Sequence, residues 1–237
     1  MADKYVDIDT LKYMLYDVHK LENLLERERF VDHDKESLDM FLESTKDFAD
    51  RELFPFIKEM DEKPAYHKDG KVYVHSQVET MMKKGGELGF ISASFDYDIG
   101  GMQIPLMAHT AATYILDAAN NHLPGYAGLT QGAAELIIHF ASKDLLETFV
   151  PNMLSGKWGG TMCLTEPQAG SSLSDIVTKA KPTQNGYYNI TGQKIFISGG
   201  DNQFAENIVH LVLARVEGAA KGTKGISLFI VPKNRNK

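Results

Sequence analysis

The chain has 237 residues, 43% of them apolar and 24% charged, the balance of a globular protein with enough chain for one large or two smaller cores. Its 32 acidic against 25 basic residues give a net charge of -7. That argues against nucleic acid as the main partner, because phosphate neutralisation needs a basic face. A single cysteine, Cys163, excludes an internal disulfide and suits a reducing compartment. MADKYVDIDT lacks the basic and apolar regions of a secretory signal, and no apolar run approaches the ~18 residues of a membrane-spanning helix. The expected setting is cytoplasmic.

The first part of the chain has helical periodicity. Leu11, Met14, Leu15, Val18, Leu21 and Leu25 recur on one helical face, and Leu38 to Ile57 carries a longer stripe of about six turns. Pro64 and the KDGK run at Lys68–Lys71 predict a loop. Ser76 and Glu79 have capping-box spacing ahead of Val78, Met81, Met82, Gly85 and Leu88. Pro105 opens the next predicted helix, Pro124 the one after, and Ser142 a last one that stops before Gly156. Residues 1–156 therefore read as a helical domain of five or six helices.

At Lys157 the period changes from helix to strand. Strands are predicted at Trp158–Leu164, Asp175–Lys181, Tyr187–Ile190, Lys194–Ser198, Ile208–Val216 and Ile226–Val231, with Asn185-Gly186 as a hairpin turn. This gives an α+β chain: an all-α domain, then a mainly antiparallel, barrel-like β domain over residues 157–237. So few strands leave a sheet with open edges, so the chain is expected to be the front portion of a longer protein.

One run in the β half carries the chemistry. In MCLTEPQAGSS, Met162 to Ser172, an apolar strand ends in a hydroxyl, a carboxylate, a proline and a small-residue turn. One reading is strand-exit chemistry alone, with Pro167 stopping the ladder and Gly170 supplying an unusual φ. The other is a nest of backbone amides at Gly170 and Ser171 for an anion, with Thr165 presenting a hydroxyl to a flat heterocycle. A second run, KIFISGG from Lys194 to Gly200, places a ring at Phe196 and a hydroxyl at Ser198. Neither run is a GxGxxG loop.

The ordered pair MCLTEPQAGSS and NGYYNITGQKIFISGG, behind a helical domain, resembles the acyl-CoA dehydrogenase family over essentially the whole chain. ENIVHLVLARV and GTKGISLFIVPK resemble the branch related to 3-methylmercaptopropionyl-CoA dehydrogenase. The resemblance implies FAD held between the middle domain and a C-terminal helical bundle that is absent from this chain. Met162, Leu164, Thr165, Gly170, Ser171, Phe196, Ile197 and Ser198 then fall at cofactor positions, and Ser171 also at the acyl-CoA. It implies fatty acid metabolism, an electron-transfer flavoprotein as partner, a homo-oligomer, and a catalytic Glu beyond residue 237, so the chain alone is expected to be inactive. Relatives carry Asp where this chain has Ser172, which predicts an altered turn at the pyrophosphate and weaker FAD binding. Acyl-CoA oxidase chemistry and a non-catalytic flavin- or partner-binding role are the alternatives.

Within the chain, Glu166 is expected to be structural. His109, His122, His139 and His210 lack metal-ligand spacing, so no metal site is expected. Cys163 is expected to be a small core residue.

Overall fold

In the computed structural model, which describes residues 5–235, the helices come first. Helices α1 (Ile8–Tyr13) and α2 (Glu22–Leu25) flank a π-helical turn over Met14–Val18. Helix α3 (Lys35–Phe48) begins at a reciprocal cap. The Asp34 carboxylate accepts from the Ser37 N–H at 2.8 Å, and the Asp34 N–H donates to Ser37 Oγ at 2.9 Å.

The six-turn stripe is not one regular helix. It passes through a π turn at Ala49–Leu53 and a 3-10 turn at Phe54–Phe56 before α4 (Ile57–Glu62). Pro55 has no N–H and cannot close an α-helical turn. Two carbonyls just before it are satisfied from elsewhere: buried Gln77 donates to Glu52 O at 2.7 Å, and buried Asn120 to Leu53 O at 3.0 Å. The break is thus bonded into the core.

Two local expectations are corrected here. The KDGK run is not a plain loop but the turn of a hairpin, β1 (Tyr66–Lys68) with β2 (Lys71–Tyr73). Asp69 and Gly70 both take positive φ, 50° and 74°, the backbone of a tight two-residue hairpin turn. Ser76 does not cap α5 (Gln77–Glu87): its backbone is already helical and its hydroxyl makes no cap bond. The Gln77 N–H instead meets His75 Nδ1 at 3.2 Å, and Glu79 pairs with Lys83 at 2.6 Å.

Helices α6 (Leu106–Asn120), α7 (Pro124–Phe140) and α8 (Lys143–Leu154) follow, the last ending at Gly156 with φ 73°. Ala108, Ala111, Ala112, Ile115, Leu116 and Ala119 of α6 are buried in one core with Leu38, Leu42 and Leu53. Small residues on α6 let its neighbours approach closely.

The second half is a five-stranded mixed sheet. Its strands are β3 (Trp158–Cys163), β4 (Lys179–Pro182), β5 (Tyr188–Thr191), β6 (Asn207–Val216) and β7 (Ile226–Pro232). Long, apolar β6 organises it. It runs parallel to β3 from Trp158↔Asn207 to Cys163↔Val212, meets β4 in parallel at Lys179↔Arg215, and pairs antiparallel with β7. Strands β4 and β5 form an antiparallel hairpin across the Asn185-Gly186 turn. The predicted strand at Lys194–Ser198 is absent, because Phe196 has φ 56°, a left-handed backbone that no ladder accepts. The strand predicted from Asp175 starts only at Lys179, after a 3-10 turn at Leu173–Asp175.

The halves meet where α7 lies on β3. The Gly160 N–H donates to Thr130 Oγ1 at 3.0 Å. A Cβ at position 160 would lie 2.8 Å from Ala133 Cβ and 2.9 Å from both Met153 Cε and Thr130 Cα, so glycine permits this approach. Val209 and Leu211 of β6 join the helical core through the same junction.

Candidate active site

Strand β3 ends at Cys163, and the chain turns at Glu166, whose N–H bonds Ala169 O at 2.7 Å. The Glu166 side chain is buried, and four donors meet it: Gln168 Nε2 (2.7 Å), Val177 N–H (2.7 Å), Thr178 N–H (3.1 Å) and Lys194 Nζ (2.8 Å). Burial by itself raises a carboxyl pKa, but here the Lys194 hydrogen bond and the donors at Thr178 and Val177 outweigh it and bring the pKa down to about 2. Glu166 is a fixed carboxylate at the centre of a loop.

The same lysine joins the two predicted segments. Lys194 Nζ also donates to Leu164 O at 2.9 Å, and the Ile195 N–H donates to Thr165 O at 2.9 Å. Segments thirty residues apart in sequence are thereby laid side by side. Beyond this junction the Phe196 side chain is 88% exposed, Ser198 is exposed and Ile197 half-buried. Thr165 and Gly170 are half-buried, and Ser171 is exposed. A Cβ on Gly170 would meet only Thr165 Cγ2, at 3.8 Å. Met162 differs from the rest: it packs against the helical core and lies within β3, opposite Leu211 of β6.

The turn after Gly170 has its own order. Ser172 Oγ donates to Asp175 at 2.7 Å, Ser174 Oγ to the same carboxylate at 3.2 Å, and the Asp175 N–H returns to Ser172 O at 3.0 Å. Asp175 thus places a carboxylate in the turn despite Ser172. The loop after Gly199 is fixed to the helical half, since the Gln203 amide makes both hydrogen bonds of the Val74 peptide, at 2.9 and 2.8 Å. Beneath this loop lies a cavity of about 80 Å³, lined by Val78, Met82, Tyr126, Leu129 and Phe204.

The histidines sit apart from these segments. His109 is buried on α6, where desolvation lowers its pKa. His210 Nδ1 lies 2.7 Å from Thr161 Oγ1 inside the sheet, and His122 and His139 are exposed. Among the described residues no three His, Cys, Asp or Glu side chains are grouped to hold a metal. Cys163 is buried, which raises its thiol pKa.

The residue pattern and the fold have known counterparts. The acyl-CoA dehydrogenase N-terminal domain profile matches residues 35–157, and the middle-domain profile matches residues 161–237. The chain belongs to the acyl-CoA dehydrogenase family. It is 37% identical over 192 residues to the 3-methylmercaptopropionyl-CoA dehydrogenase of Ruegeria pomeroyi, covering 81% of this chain and 33% of that protein. The butyryl-CoA dehydrogenase structure from Megasphaera elsdenii superposes with a TM-score of 0.68 at 25% identity, covering 85% of this chain and 50% of that one. A glutaryl-CoA dehydrogenase from Mycobacterium smegmatis, solved in complex with FADH2, shares the fold at 20% identity and a TM-score of 0.68, covering 89% of this chain and 48% of that one. The chain therefore spans between a third and a half of these family members.

Lys194 and Arg215 are the site-shaping residues that residue patterns alone missed. Their signal was present: Lys194 stands at the edge of the apolar run IFI and Arg215 inside the apolar run LVLARV. A cation in such a run needs named partners.

Proposed function

We propose that this chain supplies the helical and middle domains of an FAD-dependent acyl-CoA dehydrogenase, divided near residues 156–157. The reaction proposed is oxidation of an acyl-CoA thioester to the 2,3-enoyl-CoA, with electrons passing to an electron-transfer flavoprotein in the cytoplasm and the complete protein a homo-oligomer. The observation that carries this reading is the joining of Leu164-Thr165 to Lys194-Ile195 by two hydrogen bonds of 2.9 Å.

The donor set fits FAD. The hydroxyls of Thr165, Ser171 and Ser198 have no hydrogen-bond partner among the described residues, Gly170 leaves its outer side open, and Phe196 offers a bare aromatic face. We assign Leu164, Thr165 and the Met162 backbone to the flavin's pyrimidine side, where fixed donors favour the charge that reduction brings. Phe196, Ile197 and Ser198 line the ring, and Gly170 and Ser171 meet the pyrophosphate, with Ser171 also reaching the thioester substrate. FAD, when bound, supplies the hydride acceptor. Glu166 is assigned no proton transfer: a carboxylate held by four donors with a pKa of about 2 is too weak a base for an α proton. The base is assigned to a Glu outside these residues.

Titration of the chain with FAD, followed by flavin absorbance, tests the assignment. Saturation at one FAD per chain is expected, with Thr165→Val and Ser198→Ala each weakening binding several-fold, about 0.5–1.5 kcal/mol per lost hydrogen bond. No binding, or binding indifferent to both substitutions, would remove the basis for this site. In the complete protein, substrate-dependent oxygen uptake with hydrogen peroxide release would replace the dehydrogenase reading with an oxidase.

A further inference from the structure

Arg215 stands near the end of β6 and, like Glu166, is bonded to the 171–178 segment. Its guanidinium makes no ion pair with a carboxylate among the described residues. It spends its donors on backbone carbonyls instead. Nε donates to Ile176 O at 2.9 Å and Nη2 to Ser174 O at 2.5 Å, while Nη1 donates to Gly222 O at 2.6 Å and Ala220 O at 3.4 Å. The Arg215 N–H adds a bond to Thr178 O at 2.9 Å. One residue thus ties the turn that follows Gly170-Ser171 to the loop between β6 and β7.

A guanidinium has a rigid fork of five N–H donors, so it can fix several carbonyls at set angles where a lysine fixes one or two. Residues 171–177 have no strand ladder to hold them. They are held at one end by Glu166, through Val177 and Thr178, and in the middle by Arg215, through Ser174 and Ile176. Glu166 is tied in turn to the Lys194 segment, so it serves the flavin-ring end of the site. The Arg215 guanidinium donates only to the 174–176 stretch and to the loop between β6 and β7.

We propose that Arg215 is the positioning residue for the pyrophosphate half of the FAD site, ordering the Ser171–Asp175 turn so that the Ser171 and Ser172 amides and the Ser171 hydroxyl converge on the diphosphate. It touches neither flavin nor substrate. Its unpaired charge also makes that end of the loop favourable for an anion, offsetting Asp175. The inference rests on the cofactor reading above and adds the residue that separates diphosphate binding from ring binding.

FMN carries the same ring system but no diphosphate bridge, so comparing the two flavins isolates the effect. Arg215→Lys keeps the charge and loses the fork, and Arg215→Met loses both. In the full chain, Arg215→Lys is expected to weaken FAD binding on the order of tenfold, the scale of lost charge-assisted hydrogen bonds, while FMN affinity changes less than about twofold. Without any flavin, amide hydrogen exchange across Ser171–Asp175 should quicken on the order of tenfold, with β3 unchanged. Should Arg215→Met fail to fold, the lysine variant decides alone. Equal losses for FAD and FMN would make Arg215 a general fold residue and overturn the proposal. Unchanged FAD affinity in a chain that binds FAD would overturn it and leave the cofactor reading standing. A parent chain that binds no FAD would overturn both, whereas unchanged exchange at the turn would overturn the positioning role only.

Discussion

The helical half and the β half of this chain are held together by different means. Residues 35–154 fold around a continuous apolar core, in which Leu38, Leu42, Leu53, Met81, Ile115 and Ile137 are almost wholly buried. Polar residues enter that core at a few points, such as Asn120 and Gln77, to satisfy the break at Pro55. The β half has two well-buried strands, β3 and β6, and beside them long segments with no ladder, 164–178 and 192–206. Those segments are fixed by a few buried or half-buried polar hubs: Glu166, Lys194 and Arg215. An apolar core distributes its stability over many small contacts. A polar hub concentrates it, and the segments it holds are the ones offered to ligand.

The sharpest way to test that contrast is to remove one hub. Glu166→Gln keeps the shape but leaves Lys194 without its counter-charge, and breaking such a buried pair costs about 3 kcal/mol or more. The loss should fall on 164–178 and 192–206, with amide protection in α3, α6 and α7 nearly unchanged. The effect is pH-dependent with a definite sign. The native carboxyl pKa, about 2, lies below its unfolded value of 4.5. Its stabilisation is therefore complete above about pH 5 and fades as pH falls through the interval from 4.5 towards 2. Urea melts of parent and variant should converge over that interval; a constant gap would show that the charge is not the source.

The junction between the halves should give an intermediate effect. Gly160→Ala forces a Cβ against Ala133, Met153 and the α7 backbone at Thr130, and overpacking of this kind costs about 1–3 kcal/mol. Unlike loss of Glu166, it should lower protection in α7 and β3 together, because the α7–β3 contact belongs to both halves. A melting temperature equal to the parent's would mean that β3 can back away from α7 at no cost.

The same division explains what could be read from sequence. The helical half obeys periodicity, so the α6, α7 and α8 patterns, with Pro105, Pro124 and Gly156 as punctuation, sit where spacing places them. Its misreadings were of partner choice. Ser76 and Glu79 have the spacing of a cap but not the backbone, whereas Asp34 and Ser37 form one with serine in the reciprocating role. Asp69-Gly70 resembles Asn185-Gly186 as a residue pair and makes a hairpin too, by a two-residue turn where the β4–β5 loop spans residues 183–187. In the β half, strands β3, β6 and β7 were legible from apolar runs, but Lys194–Ser198 was not, because one left-handed residue overrides alternation. The partners of Glu166 lie up to 28 residues away and those of Arg215 up to 41, and no local pattern encodes such bonds.

The smallest effect separates a sequence expectation from the geometry at the same turn. If Ser172 were a defect in the pyrophosphate loop, Ser172→Asp would tighten FAD binding. The turn already contains a carboxylate, however: Ser172 Oγ donates to Asp175 at 2.7 Å, and Ser174 supports it at 3.2 Å. An aspartate at 172 would remove a donor and set two like charges against each other. We expect a loss of stability of about 1 kcal/mol or less, as for an exposed hydrogen bond, and no gain in FAD affinity. Thermal melting of the apo chain, with FAD titration alongside, reads both. Tighter FAD binding at unchanged stability would mean that Asp175 does not stand in for the family's aspartate, and that the hydroxyl–carboxylate pair seen here is a local accommodation rather than the working form of the loop.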